Sequence, residues 1–254
     1  MRHKERQVDK ETAGKLEDFH KFVDADAEEV IFRIFPSKVI LHLRGPVVDM
    51  DLSESFKSLS TSTDVIVHPP PNGPNSNGEP DKKKRKREAG EANDRVMSDT
   101  QHARYPNVFH ANEHLVSVHE TLKKECEQLV ELTDKVKLWI NLTMPKIEDG
   151  DNFGVQIQEE VLNELHRSQE SGYTMRDSVR QHLLNRAKIC SKIIKYPHLE
   201  DYALALQEHD DKQLYIARQN LSDLRNVYAI MTDILHKNII KLRSPKGNNG
   251  VGLY

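Results

Sequence analysis

Hydrophobic residues recur at three- and four-residue steps in four stretches of the chain, a spacing that places them on one face of an α-helix. The stretches cover about residues 8–43, about residues 106–143, a region that starts near Gly154, and a region between Pro197 and Pro245. The last pattern is the most regular and runs over four heptads: Leu214, Ala217, Leu221, Leu224, Tyr228, Met231, Leu235, Asn238 and Leu242. This spacing is typical of coiled-coil packing. The sequence therefore predicts an all-α fold, an up-down bundle of four long helices.

The other three stretches supply the remaining apolar stripes of the predicted core. In the first, Pro36 cannot donate a backbone hydrogen bond, so we expect it to kink or interrupt the helix. The stripe of this stretch is Leu16, Phe19, Val23, Ala27, Val30 and Ile34, with Val39, Ile40 and Leu43 after the proline. The second stretch contributes Leu115, Val118, Leu122, Cys126, Leu129 and Leu132, and the third contributes Leu162, Leu165, Met175, Val179, Leu183 and Ile193.

Residues 45–104 lose this periodicity. Six of the eleven prolines lie between Pro46 and Pro80, and residues 68–78 are a polar run of proline, asparagine and glycine. This composition predicts a flexible linker inside one bundle domain that spans residues 4–254. The linker carries six consecutive cations that favour a nuclear localisation signal read by importin over nucleic-acid contact: Lys82, Lys83, Lys84, Arg85, Lys86 and Arg87.

Composition and charge exclude several functional classes. The formal net charge of −3 gives no global case for nucleic-acid binding, and only 6% of the residues are aromatic, as expected for helices with aliphatic stripes. Two cysteines, Cys126 and Cys190, favour a reducing compartment over a disulfide scaffold. The charged N-terminus has no apolar signal region, and no apolar run reaches the length of a membrane span. We therefore expect an intracellular, soluble protein.

Two short matches to metal-binding motifs are weak. His110 and His114 with Glu113 fit the H-x-x-E-H pattern of a zinc peptidase, but no third ligand is identifiable. The segment from Asp149 to Glu160 half-matches a calcium loop, yet its fifth position is Phe153, which offers no side-chain oxygen. The chain also lacks a phosphate-binding G-x-x-x-x-G-K-[ST] loop and a G-x-S-x-G nucleophile turn. We therefore predict no catalytic residue, no metal and no cofactor.

The loop between the second and third stretches is the most specific segment of the sequence. It reads P-K-I-E-D-G-D-N-F-G-V over residues 145–155, and a second distinctive run, K-Y-P-H-L-E-D-Y, covers residues 195–202. Together with Lys137-Leu138-Trp139, Arg186-Ala187-Lys188 and the terminal Leu253-Tyr254, these segments resemble the 11S (REG) family of proteasome activators. The basic run resembles that of the gamma-type subunit.

The resemblance implies a function and its residues. In that family seven four-helix subunits form a ring, C-terminal tails dock between alpha subunits of the proteasome core particle, and activation loops open its gate without ATP. Carried over, residues 145–154 are the activation loop, with Ile147, Glu148, Asp149, Gly150, Asp151, Asn152, Phe153 and Gly154 as its contact residues. Residues 244–254 are the docking tail, with Gly252, Leu253 and Tyr254 at its tip, and Lys188 is a candidate channel residue. The chain would be a nuclear homo-heptamer and a regulator of peptidase activity, not an enzyme.

Two other hypotheses compete with this one. A nuclear coiled-coil scaffold would expose bundle faces to partner helices, and a metallopeptidase would use the His110–His114 match. The loop also departs from the family pattern, since it has Asp151 where family loops commonly have asparagine. Because the extra carboxylate adds charge at the contact, we expect Asp151→Asn to raise stimulated peptidase activity or to leave it unchanged; a marked loss would mean that the acid is itself a contact.

Overall fold

The computed structural model describes residues 9–44 (the backbone alone from residue 41), 109–146 and 152–246, and these ranges contain helices and no strand. The helices are α1 (Lys10–Glu29), α2 (Phe35–Arg44), α3 (Glu113–Thr143), α4 (Phe153–Lys195) and α5 (Glu200–Arg243). A π-helical segment, Val30–Ile34, joins α1 and α2 into one continuous rod. The predicted four long helices are thus confirmed. The predicted linker and its basic run lie outside the described residues.

Short polar side chains and prolines set the ends of these helices. Oδ1 of Asp9 accepts hydrogen bonds from the backbone N–H groups of Glu11 and Thr12 at 3.0 Å each, which starts α1. Asn112 starts α3 in the same way. Pro197 follows the last residues of α4, and Pro245 follows those of α5. Since proline cannot continue a helix, both ends lie where the sequence predicts them.

Neighbouring helices run antiparallel. Lys135 of α3 pairs with Asp26 of α1 at 3.4 Å between Nζ and Oδ1. Glu125, earlier in α3, pairs with Lys38 of α2 at 2.8 Å, so residue numbers rise along one rod and fall along the other. Hydrogen bonds between α3 and α4, between α4 and α5, and between α5 and the first rod show the same pattern, in which residue numbers rise along one helix and fall along the other. The topology is up-down-up-down, as predicted.

The four rods bury one large apolar core and two smaller apolar clusters. The stripe of α5 is buried at every position from Leu214 to Leu242 except Asn238, which is half-buried. Four residues assigned to core stripes are instead exposed: Leu16 (49%), Phe19 (45%), Ile40 (58%) and Leu183 (52%). The prediction that they belong to the core of the subunit is wrong, because periodicity identifies an apolar face but not what covers it. No helix in the described ranges has the length and apolar composition needed to cross a bilayer.

The π-helical segment lies just before Pro36 in the sequence. The N–H of Phe35 donates to the carbonyl of Val30, five residues earlier, instead of to Ile31. The carbonyl of Ile31 accepts a hydrogen bond from Nε2 of His236 in α5, at 2.9 Å. The wide turn therefore connects the first rod to α5, and the helix changes type just before the proline without being interrupted there.

Candidate docking end of the bundle

One end of the bundle collects the three chain segments that carry the loop and the tail. Because α3 and α5 run in the same direction, both end there, and α4 begins there. Residues 152–154 lie at the start of α4. The other predicted loop residues, 147–151, lie outside the described residues. Asn152 precedes the helix, and Phe153, at its first position, is 56% exposed. We call this part of the molecule the docking end.

Gly154 lies against the segment that leads into the tail. A Cβ atom at this position would lie 2.0 Å from the carbonyl oxygen of Pro245 and 2.6 Å from its carbonyl carbon. Only a glycine allows the backbone of residue 245 to cross the first turn of α4 at this distance. Pro245 itself is buried, so the root of the tail is seated on the start of the loop helix.

Gln158, one turn further along α4, ties the same segments together through hydrogen bonds. Its Nε2 donates to the carbonyl oxygen of Leu242 at 3.0 Å and contacts Oγ1 of Thr143 at 3.3 Å. The side chain is fully buried, and its Oε1 has no hydrogen-bond partner among the described residues. One amide thus connects the ends of α3 and α5 to α4. The end carbonyls of a helix lack partners within the helix, so this bond fixes where α5 stops.

The exposed side of the docking end has a shallow hollow beside the loop. Its lining includes Met144 and Pro145 from the segment after α3, and Asn152, Gln156 and Glu159 from α4. Both sides are mixed, since Lys146 also lies on the first side and Val155 on the second.

The other predicted site residues fall in different places. The tail tip (Gly252, Leu253 and Tyr254) and the basic run lie outside the described residues. Lys188 is exposed on α4, and its carbonyl accepts a hydrogen bond from Oγ of Ser191 at 2.8 Å. It lies roughly 45 Å from residue 158 along the helix axis, at 1.5 Å per residue. The structure therefore brings the loop flank and the tail root together, and leaves Lys188 far from both.

The His110–His114 match has a structural role. Asn112, between the two histidines, is the buried cap of α3, and the carbonyl of His110 accepts a hydrogen bond from Arg186 at 2.8 Å. His114 is exposed in the first turn. The segment starts a helix and anchors it to α4.

Gln158 was not identified from the sequence, which marks Pro245 only as the end of a helix and a residue of the tail. The pattern does contain a signal for Gln158, since it continues the buried stripe of α4 at Gly154, Val161 and Leu165 as the only amide in that series. A polar residue within an apolar stripe is expected to have a hydrogen-bond partner. The identity of that partner depends on how α4 is staggered against α5.

Comparison with known proteins gives a consistent result. Residues 108–252 match the family model described as "Proteasome activator PA28, C-terminal". The chain is 34% identical over 254 residues to the human "Proteasome activator complex subunit 3", with 97% of this chain and 98% of the relative covered. The chicken protein of the same name is also 34% identical, over 257 residues with the same coverage. A Dictyostelium discoideum protein, "Proteasome activator 28", is 29% identical over 182 residues, or 72% of this chain and 79% of the relative.

Solved structures agree with the sequence relatives. The crystal structure of the 11S subunit of the Plasmodium falciparum proteasome, PA28, superposes with a TM-score of 0.73 at 28% identity, covering 97% of this chain and 100% of that chain. A chain from the crystal structure of an archaeal 20S proteasome in complex with a mutated P26 activator gives a TM-score of 0.54 at 12% identity, covering 92% and 99% of the two chains. The latter likeness concerns the fold alone.

Proposed function

This chain belongs to the PA28 family of proteasome activators, and we propose that it docks on the proteasome core particle by its C-terminal tails and opens the gate of the particle with its activation loop, without ATP. Peptides and unfolded proteins would then enter the particle. Its relatives are named as activators, so the chain is a regulator and not itself a peptidase.

The observation that carries the proposal is the contact between the loop helix and the tail root. The close approach of Pro245 to Gly154, with the Gln158 bond to the end of α5, supports the proposal because it holds the start of α4 and the root of the tail together at one end of the bundle. A tail docked in a pocket would therefore bring the loop to the same surface of the partner. Binding energy from the tail can then favour the open state of a gate without nucleotide hydrolysis.

We propose that seven copies form the ring. Apolar side chains that α1 leaves exposed support an assembly, among them Phe19 and Phe22, at 45% and 65% exposure. An apolar groove also lies between α2 and α5, where Val39 and Ile40 face Ala229. In a ring each tail binds weakly on its own, and the set gains avidity of about 10²–10⁴-fold through effective concentration.

The decisive experiment adds the purified chain to latent core particles and follows the cleavage of fluorogenic peptides. We expect stimulation, and we expect deletion of Gly252–Tyr254 to abolish it. Full stimulation by the truncated chain, or none by the intact one, would contradict the proposal. A variant in which the basic run of residues 82–87 is replaced by serine is the matched control, since it should stimulate as the wild type does.

Two further measurements test the assembly and the compartment. Native mass spectrometry should show seven copies, whereas a monomer or dimer would contradict the ring and favour the scaffold hypothesis. In cells, the serine variant of residues 82–87 should lose the nuclear accumulation that importin binding would give the wild type.

Lys188 is proposed to face the channel of the ring, where its substitution would change which peptides are cleaved.

A further inference from the structure

A cluster of polar side chains lies between α4 and α5, far from the docking end. His182 of α4 and Asp210 of α5 are buried, at 4% and 2% exposure, and His209 beside Asp210 is half-buried. Nδ1 of His182 lies 3.0 Å from Nε2 of His209, and the two rings are nearly parallel. The cluster is roughly 36 Å from Gln158 along α4, at 1.5 Å per residue, so the docking function does not use it.

Asp210 is held in place by Arg186. Nε of Arg186 donates to both carboxylate oxygens of Asp210, at 3.1 and 3.2 Å, and another guanidinium nitrogen donates to the carbonyl of His110. These bonds fix the orientation of the carboxylate group. A carboxylate that is fixed by an outer hydrogen bond is the usual arrangement around a bound metal ion.

A third imidazole lies beside the pair. The ring of His119, from α3, meets that of His182 edge-on at 5.0 Å between centroids. A neutral imidazole has a lone pair on one ring nitrogen, which is the form that binds metals.

We propose that His182, His209 and Asp210 bind one zinc ion, which cross-links α4 to α5. One ligand atom from each residue lies within 4.8 Å of the other two. Ligand atoms around tetrahedral zinc are about 3.3–3.6 Å apart, given bond lengths of about 2.0–2.2 Å. The two ring nitrogens are already near that separation, so small side-chain rotations complete the set.

Binding changes the hydrogen bonding of the cluster in a defined way. The hydrogen bond between the two rings requires a proton on one of the two facing nitrogens. When the ion binds, the ring with that proton carries it on its other nitrogen instead, so that both facing nitrogens offer a lone pair to the ion. Asp210 supplies the third ligand and keeps its contact with Arg186. A water molecule completes the fourth position on the side where His209 is half-exposed. Because α4 and α5 are consecutive and antiparallel, the ion would hold their connected ends together.

Metal titration of the full chain tests this proposal. The protein is purified without a histidine tag, stripped with chelator, and titrated with Zn²⁺ by calorimetry and with Co²⁺ by visible absorption. We expect one equivalent per chain and the intense visible bands of tetrahedral Co²⁺. His209→Gln should weaken binding by at least about tenfold, since loss of an outer-shell partner alone costs that much. His166→Gln, at an exposed position on α4, is the matched control and should bind as the wild type.

The same variants give a readout that separates this proposal from the proposed function. Zn²⁺ should raise the melting temperature of the wild type and of His166→Gln, but not that of His209→Gln, and all three should stimulate core particles equally. Binding that is undiminished in His209→Gln would place the ion on other histidines and overturn the proposal. Absence of binding by a folded wild-type chain would also overturn it.

Discussion

Substituting Gly154 by alanine tests the seat of the tail root. The added methyl group would lie 2.0 Å from the carbonyl oxygen of Pro245, which must retreat by more than ~1 Å to reach an ordinary contact distance. Overpacking of this kind costs about 1–3 kcal/mol. We expect the strain to be relieved by Pro245 moving away from α4, because Pro245 lies just beyond the end of α5.

The stability of the bundle should change little. Alanine favours a helix over glycine by about 1 kcal/mol, which offsets part of the strain. The ratio of seated to unseated tail roots should instead fall by about 5- to 150-fold, the factor that corresponds to 1–3 kcal/mol. We therefore expect Gly154→Ala to lower peptidase stimulation at limiting activator concentration by at least about fivefold, with the helix content and the oligomer retained.

The assay is fluorogenic-peptide cleavage by latent core particles over a range of activator concentrations. Gly14→Ala is the matched control, since that glycine is also helical and a Cβ there would meet nothing within 4 Å. It should stimulate as the wild type and melt no lower. Stimulation by Gly154→Ala equal to that of Gly14→Ala would refute the reasoning that the seated tail root matters.

Three further predictions concern buried groups. Gln158→Leu keeps the side-chain volume but leaves the carbonyl of Leu242 without its hydrogen-bond donor. We expect a loss of about 1–3 kcal/mol in the free energy of unfolding and a several-fold drop in peptidase stimulation. Wild-type values for both would contradict the assigned role. Arg186→Met leaves the Asp210 carboxylate buried without its cation and should lower the free energy of unfolding, measured by chemical denaturation, by about 3–5 kcal/mol. Adding Asp210→Leu should recover most of this loss. An unchanged free energy of unfolding in the single variant would contradict the prediction. Burial raises the pKa of the Cys126 thiol to about 12. In a Cys190→Ser background, a thiol reagent at pH 8 should therefore label Cys126 only after unfolding. Stoichiometric labelling of the native protein would contradict this prediction.

The sequence predicts the helices well because their stripes and breaks are local properties. The stripe of α5 from Leu214 to Leu242 is buried as its heptad spacing indicates, and Pro36, Pro197 and Pro245 lie where helix geometry changes or ends. These signals need only the residue types within a few turns.

The exposed stripe positions show what a local pattern cannot contain. Leu16, Phe19 and Leu183 have the spacing of core residues and are open to solvent in the isolated subunit. An apolar face that packs inside a subunit and one that packs between subunits have the same periodicity. Only the arrangement of the other helices distinguishes them.

Contacts between helices were not predictable for a related reason. Gln158 meets Leu242, and Arg186 meets Asp210, because α4 and α5 pair with a particular stagger. That stagger is fixed by packing along the full length of both helices, and no residue near either contact records it. The sequence thus identifies the elements of the docking end but not the bonds that hold it together.

The wide turn at Val30–Ile34 corrects the phase of the first rod. Ala27, Ile31, Phe35 and Val39 contact the core at steps of four residues, and each such step overshoots a full turn of an α-helix by about 40°. In a uniform helix the stripe would drift by about 120° over these three steps and turn Val39 away from the bundle. The π-helical segment accommodates one residue more per turn and cancels much of this drift. Deleting one residue from that segment is therefore expected to restore an ordinary helix with both flanks still facing the core, at the cost of the bond between Ile31 and His236.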